Sequence, residues 1–155
     1  MSSHQPIRPR LLLDADVLFA GAASPSEHGA SLLILKLAEI TLIEAIVSQQ
    51  VITEAERNLA AKLPPALPAF RMIVARSLQV VPDPSPTDLA PYRGLAEAKD
   101  LPVLVAALRQ DCPWLVTFNV RHYQPCHPDL KVLRPGDFVQ RVREQLAYLT
   151  VPHRP

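Results

Sequence analysis

The stretch Leu11-Leu12-Leu13-Asp14 decides the fold of this chain, because an unbroken apolar run that ends at an acid predicts a buried strand. Short apolar runs recur at residues 42–47, 78–81, 114–117 and 132–133. As a set, these runs are continuous rather than alternating between apolar and polar residues. Continuous apolar strands are typical of a parallel sheet that is covered on both faces, so the sequence predicts such a sheet with about five strands.

Segments with helical apolar patterns separate the predicted strands. They cover residues 31–38, 48–62, 69–76, 103–109 and 135–146. Ser48 is well suited to cap the second of these helices, and Asp100, which precedes a leucine and a proline, is suited to begin the fourth. Strands that alternate with helices in this way indicate an α/β fold with helices on both faces of the sheet.

The length and composition are those of one ordinary folded domain. The chain has 155 residues, of which 48% are hydrophobic and 20% are charged, which allows a sizeable core without disulfides or a structural metal. We expect a single domain over residues 1–155, with a core from about 10 to 148 and flexible tails at 1–9 and 149–155. With 16 basic and 15 acidic residues, the net charge of +1 does not by itself indicate a nucleic-acid partner.

The sequence also bears on the cellular compartment. The two cysteines, Cys112 and Cys126, are too few for a disulfide framework, which favours the reducing cytoplasm. Charged residues, among them Lys36 and Glu39, interrupt the longest apolar stretch, and the first ten residues contain no signal-like apolar segment. We therefore expect a cytoplasmic protein with no membrane partner.

Polar side chains follow the predicted strands at their carboxyl ends, where the sites of open parallel sheets form. These candidates are Asp14, Asp16, Glu54, Asp100, Thr117 and Asn119. They are far apart in sequence, yet the predicted topology can bring all of them to one edge of the sheet. The sequence therefore predicts a site in which three or more carboxylates meet.

Carboxylates that share one edge repel one another unless a cation joins them. Their oxygens suit Mg²⁺ or Mn²⁺, and such ions can activate water and polarise a phosphodiester for hydrolysis. The glycine-rich phosphate-binding motifs GxxxxGK[ST] and GxGxxG are absent from the sequence. Ordinary structural roles stay open at this point, since Asp16 and Asp100 could cap helices, Glu54 could be solvated, and Asn119 could form a turn.

The order and spacing of four segments resemble the PIN-domain family of metal-dependent ribonucleases. The segments are LLLDADVL at 11–18, VSQQVITEAERNL at 47–59, KDLPVLVAAL at 99–108 and WLVTFNVRHY at 114–123. The resemblance runs from Leu11 to about Phe138, and it implies a three-layer α/β/α sandwich around a parallel sheet. Many bacterial members of the family resemble toxins of VapC-type toxin–antitoxin pairs.

The resemblance also implies roles for the acidic residues of this chain. The residues that match the first three family acids, and that are therefore implied to be catalytic and metal-binding, are Asp14, Glu54 and Asp100. Asp16 matches the family position shortly after the first acid. Asp16 and Asn119 are expected to orient ligands or water, and Thr117 is expected to form a hydrogen bond at the same edge.

The fourth family acid is missing from this chain. Asn119 stands at that position and supplies a neutral oxygen, so the site has one charge fewer than is usual. Some branches of the family have an acid just before the following aromatic residue, but here that place holds His122. We expect His122, Arg57 and Arg121 to contact RNA phosphates.

The function implied is a Mg²⁺- or Mn²⁺-dependent endoribonuclease, the toxin of a type II toxin–antitoxin pair. Its expected partners are RNA, a cognate antitoxin protein and a second copy of the chain, paired through helices 31–38 and 51–62. One alternative is a catalytically weak PIN-like module that binds protein or RNA, which Asn119 and the near-neutral charge favour. A less favoured alternative is a haloacid-dehalogenase-like phosphatase with Asp14 as nucleophile and Asp16 as acid and base, but the chain lacks the later acidic pair of that family.

Overall fold

A central parallel sheet organises the molecule, for which a computed structural model describes residues 7–23 and 29–150. The strands are β1 (Arg10–Leu13), β2 (Glu44–Ser48), β3 (Leu78–Val81), β4 (Trp114–Val116) and β5 (Lys131–Leu133). They pair in the order β3-β2-β1-β4-β5. Strand β1 therefore lies at the centre, and its three leucines are completely buried. The predicted parallel sheet of five strands is confirmed.

Helices cover the sheet on both faces and complete a three-layer α/β/α sandwich. They are α1 (Ala15–Ala23), α2 (Ala30–Glu39), α3 (Gln49–Lys62), α4 (Leu67–Ser77), α5 (Pro86–Leu89), α6 (Leu101–Arg109) and α7 (Pro135–Ala147). Short 3-10 turns occupy Pro64–Ala66, Ala90–Tyr92 and Val120–Tyr123. Helices α1 to α4 pack on one another and α7 packs on α2, whereas α6 packs against β1 and β4. The predicted fold class is thus confirmed.

Two further predictions concern flexible tails at the chain ends and segments that could cross a membrane. Residues 1–6 and 151–155, which make up most of the two predicted tails, lie outside the described residues. Within the described ranges, no helix combines the length and the apolar character that crossing a bilayer requires.

Two local details differ from the sequence predictions. The second strand begins at Glu44 rather than at Leu42, because the chain first makes a turn in which Thr41 adopts a positive φ and leaves Leu42 exposed. Helix α1 is not among the predicted helical segments, since its many small residues give no clear apolar stripe. Its Gly21 lies against Leu35 of α2, where a side chain would collide, so this glycine allows the two helices to pack closely.

Ser48 links the end of β2 to the start of α3, as predicted. Its hydroxyl accepts a hydrogen bond from the backbone N–H of Val51 at 3.4 Å, and the residue is 1% exposed. We expect Ser48→Ala to lower the free energy of unfolding by about 1 kcal/mol, because the α3 terminus loses its cap. Urea denaturation measures this loss.

Ser31 provides the matched control for the cap. It is also buried, but its hydroxyl has no hydrogen-bond partner within residues 7–23 and 29–150. Ser31→Ala should therefore change stability by less than about 0.5 kcal/mol. Equal losses from the two substitutions would contradict a capping role for Ser48.

Candidate active site

Asp14 lies immediately after the central strand, at the edge of the sheet where the strands end. Its backbone N–H donates to the carbonyl of Val116, which extends the pairing of β1 and β4 by one residue. One carboxylate oxygen accepts from the N–H of Ala15 at 2.8 Å. The other accepts from the hydroxyls of Thr117 at 2.9 Å and Tyr123 at 2.7 Å. Asp14 is 7% exposed, so the fold holds a buried carboxylate in one orientation with three donors.

Asp16 connects the first turn of α1 to the segment that follows β4. Its Oδ2 accepts from the backbone N–H of Phe118 at 3.1 Å and from the side-chain amide of Asn119 at 3.2 Å. Its Oδ1 is buried and has no partner among the described residues. Burial and the negative charge of Asp14 raise the pKa of Asp16 from 3.8 to about 6. Helix α1 already begins at Ala15, so Asp16 lies inside its first turn and is not the N-cap of a helix, which is one of the two roles the sequence leaves open.

Tyr123 is a contributor that sequence reasoning missed. It lies in the 3-10 turn after β4, is 1% exposed, and donates its hydroxyl hydrogen to Asp14. Burial and the negative charge of Asp14 raise the pKa of Tyr123. The sequence carries no signal for this contact, because only the path of the 3-10 turn directs the ring back towards β1.

Glu54 and Asp100 face the same edge of the sheet as Asp14. Burial and the negative charges of Asp14 and Asp100 raise the pKa of Glu54, and burial and the charge of Asp14 raise the pKa of Asp100. The side-chain amide of Gln50 donates to the carbonyl of Lys99 at 3.4 Å and joins the start of α3 to the segment before α6. We call Asp14, Asp16, Glu54 and Asp100 the carboxylate cluster.

Asp100 occupies the N-cap position of α6, as predicted, but its side chain does not cap the helix. The carboxylate instead lies 3.0 Å from Nδ1 of His122. Glu97, which sequence analysis did not single out, has an oxygen 3.6 Å from the same nitrogen. An acid close to His122 is therefore present after all, although it comes from the segment before α6 rather than from the segment after β4.

Basic side chains flank the carboxylate cluster without neutralising it. The positive charge of Lys99 partly offsets the rise in the pKa of Glu54 and of Asp100, and that of Arg57 partly offsets the rise at Glu54. Arg57 and Glu54 also line one shallow cavity on α3. Arg121 is exposed on the 3-10 turn after β4. Of the predicted phosphate-binding residues, Arg57 lies on α3 with Glu54, whereas Arg121 and His122 lie on the 3-10 turn after β4.

The carboxylate cluster is not neutralised by basic side chains at three of its four members. Among residues 7–23 and 29–150, no basic side chain forms an ion pair with Asp14, Asp16 or Glu54. A buried carboxylate oxygen with no partner, such as Oδ1 of Asp16, is costly unless a proton or a cation meets it. Since the atoms that could coordinate an ion are carboxylate oxygens, a hard divalent ion fits this set of residues.

Comparison with known proteins shows to which protein family the chain belongs. The sequence profile of the PIN domain matches residues 10–121. The chain belongs to the PIN-domain family. PIN domains are generally nucleases, and PIN nucleases typically use divalent metals. No curated protein sequence matches the chain significantly.

Solved structures show the same fold at low sequence identity. The PIN domain resembles VapBC2 from Rickettsia felis, determined bound to a DNA fragment from its promoter, with a TM-score of 0.59 and 15% identity over 81% of this chain and 98% of that chain. It also resembles PAE2754 from Pyrobaculum aerophilum, with a TM-score of 0.60 and 19% identity over 88% of this chain and 97% of that chain. The predicted PIN-domain family is confirmed by the profile match, and these two structures confirm its fold.

The raised pKa of Asp16 predicts a pH-dependent gain in stability for Asp16→Asn. A carboxyl whose folded pKa is about 6 and whose ordinary value is 3.8 stabilises the folded state below about pH 4, and this contribution is lost as the pH rises through 6. A shift of this size corresponds to about 3 kcal/mol at most, which partial exposure reduces to about 1–2 kcal/mol.

We therefore expect the metal-free Asp16→Asn variant to exceed the wild type in stability by about 1–2 kcal/mol at pH 7.5. At pH 4 this difference between the two proteins should be close to zero. Urea denaturation at both pH values, with a chelator present, measures it. If the difference in the free energy of unfolding were the same at pH 4 and pH 7.5, the charge of Asp16 would not destabilise the folded protein.

Proposed function

We propose that this PIN-domain protein is a Mg²⁺- or Mn²⁺-dependent endoribonuclease that hydrolyses RNA phosphodiesters. The observation that carries the proposal is that the negative charge of Asp14 raises the pKa of both Glu54 and Asp100, with no ion pair at Asp14 or Glu54 among the described residues. Carboxylates held together in this way bind a divalent ion readily, because the ion removes their mutual repulsion.

Asp14, Glu54 and Asp100 would hold the ion, directly or through water, and Asp16 would add its unpartnered oxygen. Such an ion supplies Lewis-acid polarisation of a phosphoryl oxygen and makes a water acidic enough to attack phosphorus at neutral pH. The hydroxyls of Thr117 and Tyr123 hold the Asp14 carboxylate in one orientation before substrate binds.

The basic residues beside the cluster would bind the substrate backbone. Lys99, Arg57 and Arg121 lie on three segments that border the acids, so their charges can offset those of neighbouring phosphates. The edge of the sheet is open and small, which favours single-stranded or looped RNA, whose backbone is readily presented.

The proposed partner is an antitoxin protein, and the proposed assembly is a homodimer. A structural neighbour, VapBC2 of Rickettsia felis, is a two-protein assembly, which supports an antitoxin partner here.

Helices α2 and α4 border a cavity of about 240 Å³ to which Leu32, Met72 and Ile73 contribute, and Met72 is 49% exposed. Helix α3 buries its large apolar residues, so α2 and α4, with Leu33 and Met72 exposed, offer more apolar surface for pairing than α3 does. We place the protein in the cytoplasm, because both cysteines are unpaired.

The test is cleavage of a fluorescent single-stranded RNA by the purified protein. We expect cleavage with Mn²⁺ or Mg²⁺ and none after chelation by EDTA, with single-stranded DNA and a fully paired RNA as control substrates. Cleavage that resists EDTA would contradict the metal role. Absence of cleavage with either ion would contradict the nuclease itself.

Asn119 supports a second candidate function, a catalytically weak module that binds RNA or protein. Its amide donates to Asp16 and adds no charge, so the cluster has fewer charges with which to hold a second ion. Tight Mn²⁺ binding without cleavage of any RNA would support this module over the nuclease. The phosphatase alternative loses its basis, since the chain is a PIN domain.

A further inference from the structure

Glu97, Asp100 and His122 bring one ligand atom each into a single group, which we call the histidine cluster. The three atoms all lie within 4.8 Å of one another. Nδ1 of His122 is 3.0 Å from an oxygen of Asp100 and 3.6 Å from an oxygen of Glu97. Ligands bonded to one ion at about 2.1 Å are separated from one another by about 3.0–3.4 Å in octahedral and tetrahedral arrangements. The two distances from His122 are therefore close to those within a coordination sphere.

Backbone hydrogen bonds hold the cluster together independently of its side chains. The N–H of Glu97 donates to the carbonyl of His122 at 2.8 Å, which joins the segment before α6 to the 3-10 turn after β4. The N–H of Asp100 donates to the carbonyl of Glu97 at 2.9 Å, so the two acids lie on one tight turn. The His122 and Asp100 side chains are 30% and 16% exposed, which leaves the group accessible to an ion from solvent.

The chemistry of these ligands differs from that of the other acids. Mg²⁺ is bound mainly by oxygen and loses its water reluctantly, whereas an imidazole nitrogen is a preferred ligand of first-row transition ions. The competing explanation for the geometry is a protonated His122 that forms ion pairs with the two carboxylates. That explanation predicts no selectivity among divalent ions.

We propose that Glu97, Asp100 and His122 bind a first-row transition ion, such as Mn²⁺ or Co²⁺, in preference to Mg²⁺. The site shares Asp100 with the carboxylate cluster. Binding of the ion does not depend on the proposed nuclease function, whereas a catalytic use of the bound ion rests on it. Glu97 and Asp100 supply two oxygens, and His122 supplies the nitrogen that makes the site selective. The ion thereby enters the same edge of the sheet as Asp14.

The test is calorimetric titration of the metal-free protein with CoCl₂ and, separately, with MgCl₂ at pH 7.5. We expect the wild type to bind Co²⁺ more tightly than Mg²⁺. His122→Gln should weaken Co²⁺ binding by at least about tenfold and Mg²⁺ binding by less than about threefold, because only the transition ion depends on the imidazole. His122→Asp should reduce the preference for Co²⁺ by exchanging the nitrogen for an oxygen.

His127 offers the matched control, since its Nδ1 lies 3.8 Å from Asp129 in a pair remote from the acids. His127→Gln should leave both affinities unchanged. Unaltered Co²⁺ binding in His122→Gln, or equal weakening of Co²⁺ and Mg²⁺, would overturn the proposal. These binding measurements do not depend on cleavage, so a protein that selects Co²⁺ through His122 but never cuts RNA would reject the nuclease and retain this site.

Discussion

Replacing Asp14 by asparagine should reduce metal-dependent RNA cleavage by at least about 100-fold, which corresponds to about 2.7 kcal/mol of transition-state stabilisation. Asp14 is the most buried member of the carboxylate cluster, and its charge raises the pKa of Asp16, Glu54 and Asp100. Removing that charge removes the centre of the proposed ion site. Initial rates of cleavage at saturating Mn²⁺ measure the effect.

The Asp14→Asn protein should still fold. The hydroxyls of Thr117 and Tyr123, which donate to Asp14, can rotate and accept from an amide N–H instead. Asp129→Asn is the matched control, because the Asp129 side chain is 83% exposed and lies in the segment that precedes β5, at the other end of the sheet. If Asp14→Asn cleaves as fast as Asp129→Asn while remaining folded, Asp14 has no part in holding a catalytic ion.

Thr117→Val should have the second largest effect, on stability as well as on cleavage. Thr117 is completely buried, donates its hydroxyl hydrogen to Asp14 and accepts from the backbone N–H of Asn119 at 3.0 Å. Valine has nearly the same shape but leaves a carboxylate without one donor and an amide without its acceptor. We expect a loss of about 2–3 kcal/mol in the free energy of unfolding and a 10- to 100-fold loss of cleavage.

Thr117→Ser separates the hydroxyl from the rest of the side chain. It keeps the hydroxyl and loses only one methyl group, so we expect it to cost about 1 kcal/mol and to cleave within about threefold of the wild type. Urea denaturation and initial cleavage rates on the three proteins give both quantities. Similar losses in Thr117→Val and Thr117→Ser would show that packing of the methyl group, not the hydroxyl, accounts for the role of this residue.

The order of elements could be predicted well from the sequence, because each strand is short, apolar and bounded by a polar residue. Strand β1 ends before Asp14 and α3 begins after Ser48, as predicted. The sequence predictions were wrong at positions where the local hydrophobic pattern does not match the burial that the tertiary structure imposes. Leu42 is apolar but lies exposed on a turn, and α1 consists of small residues whose burial depends on close packing against α2.

The acids of the candidate site could be named from sequence, but their contacts could not. A carboxylate that follows a buried strand is visible as a pattern, and this pattern indicates Asp14. Tyr123 and Glu97 gave no such signal, because the first is an aromatic that a core would accept and the second is an acid in an exposed segment. Their roles depend on the path of the chain after β4 and before α6, which sequence periodicity does not describe.

Sequence alone determined that this protein is a parallel α/β domain with acids after its strands, since hydrophobic patterning and strand ends are properties of neighbouring residues. Only the tertiary structure decided which oxygens are held by hydroxyls, which one is left unpartnered, and that Asp100 meets His122 instead of capping α6. These contacts join residues about 20 to 110 positions apart in the chain. They depend on distances of a few tenths of an ångström, which are fixed by the packing of whole elements and leave no trace in a local pattern.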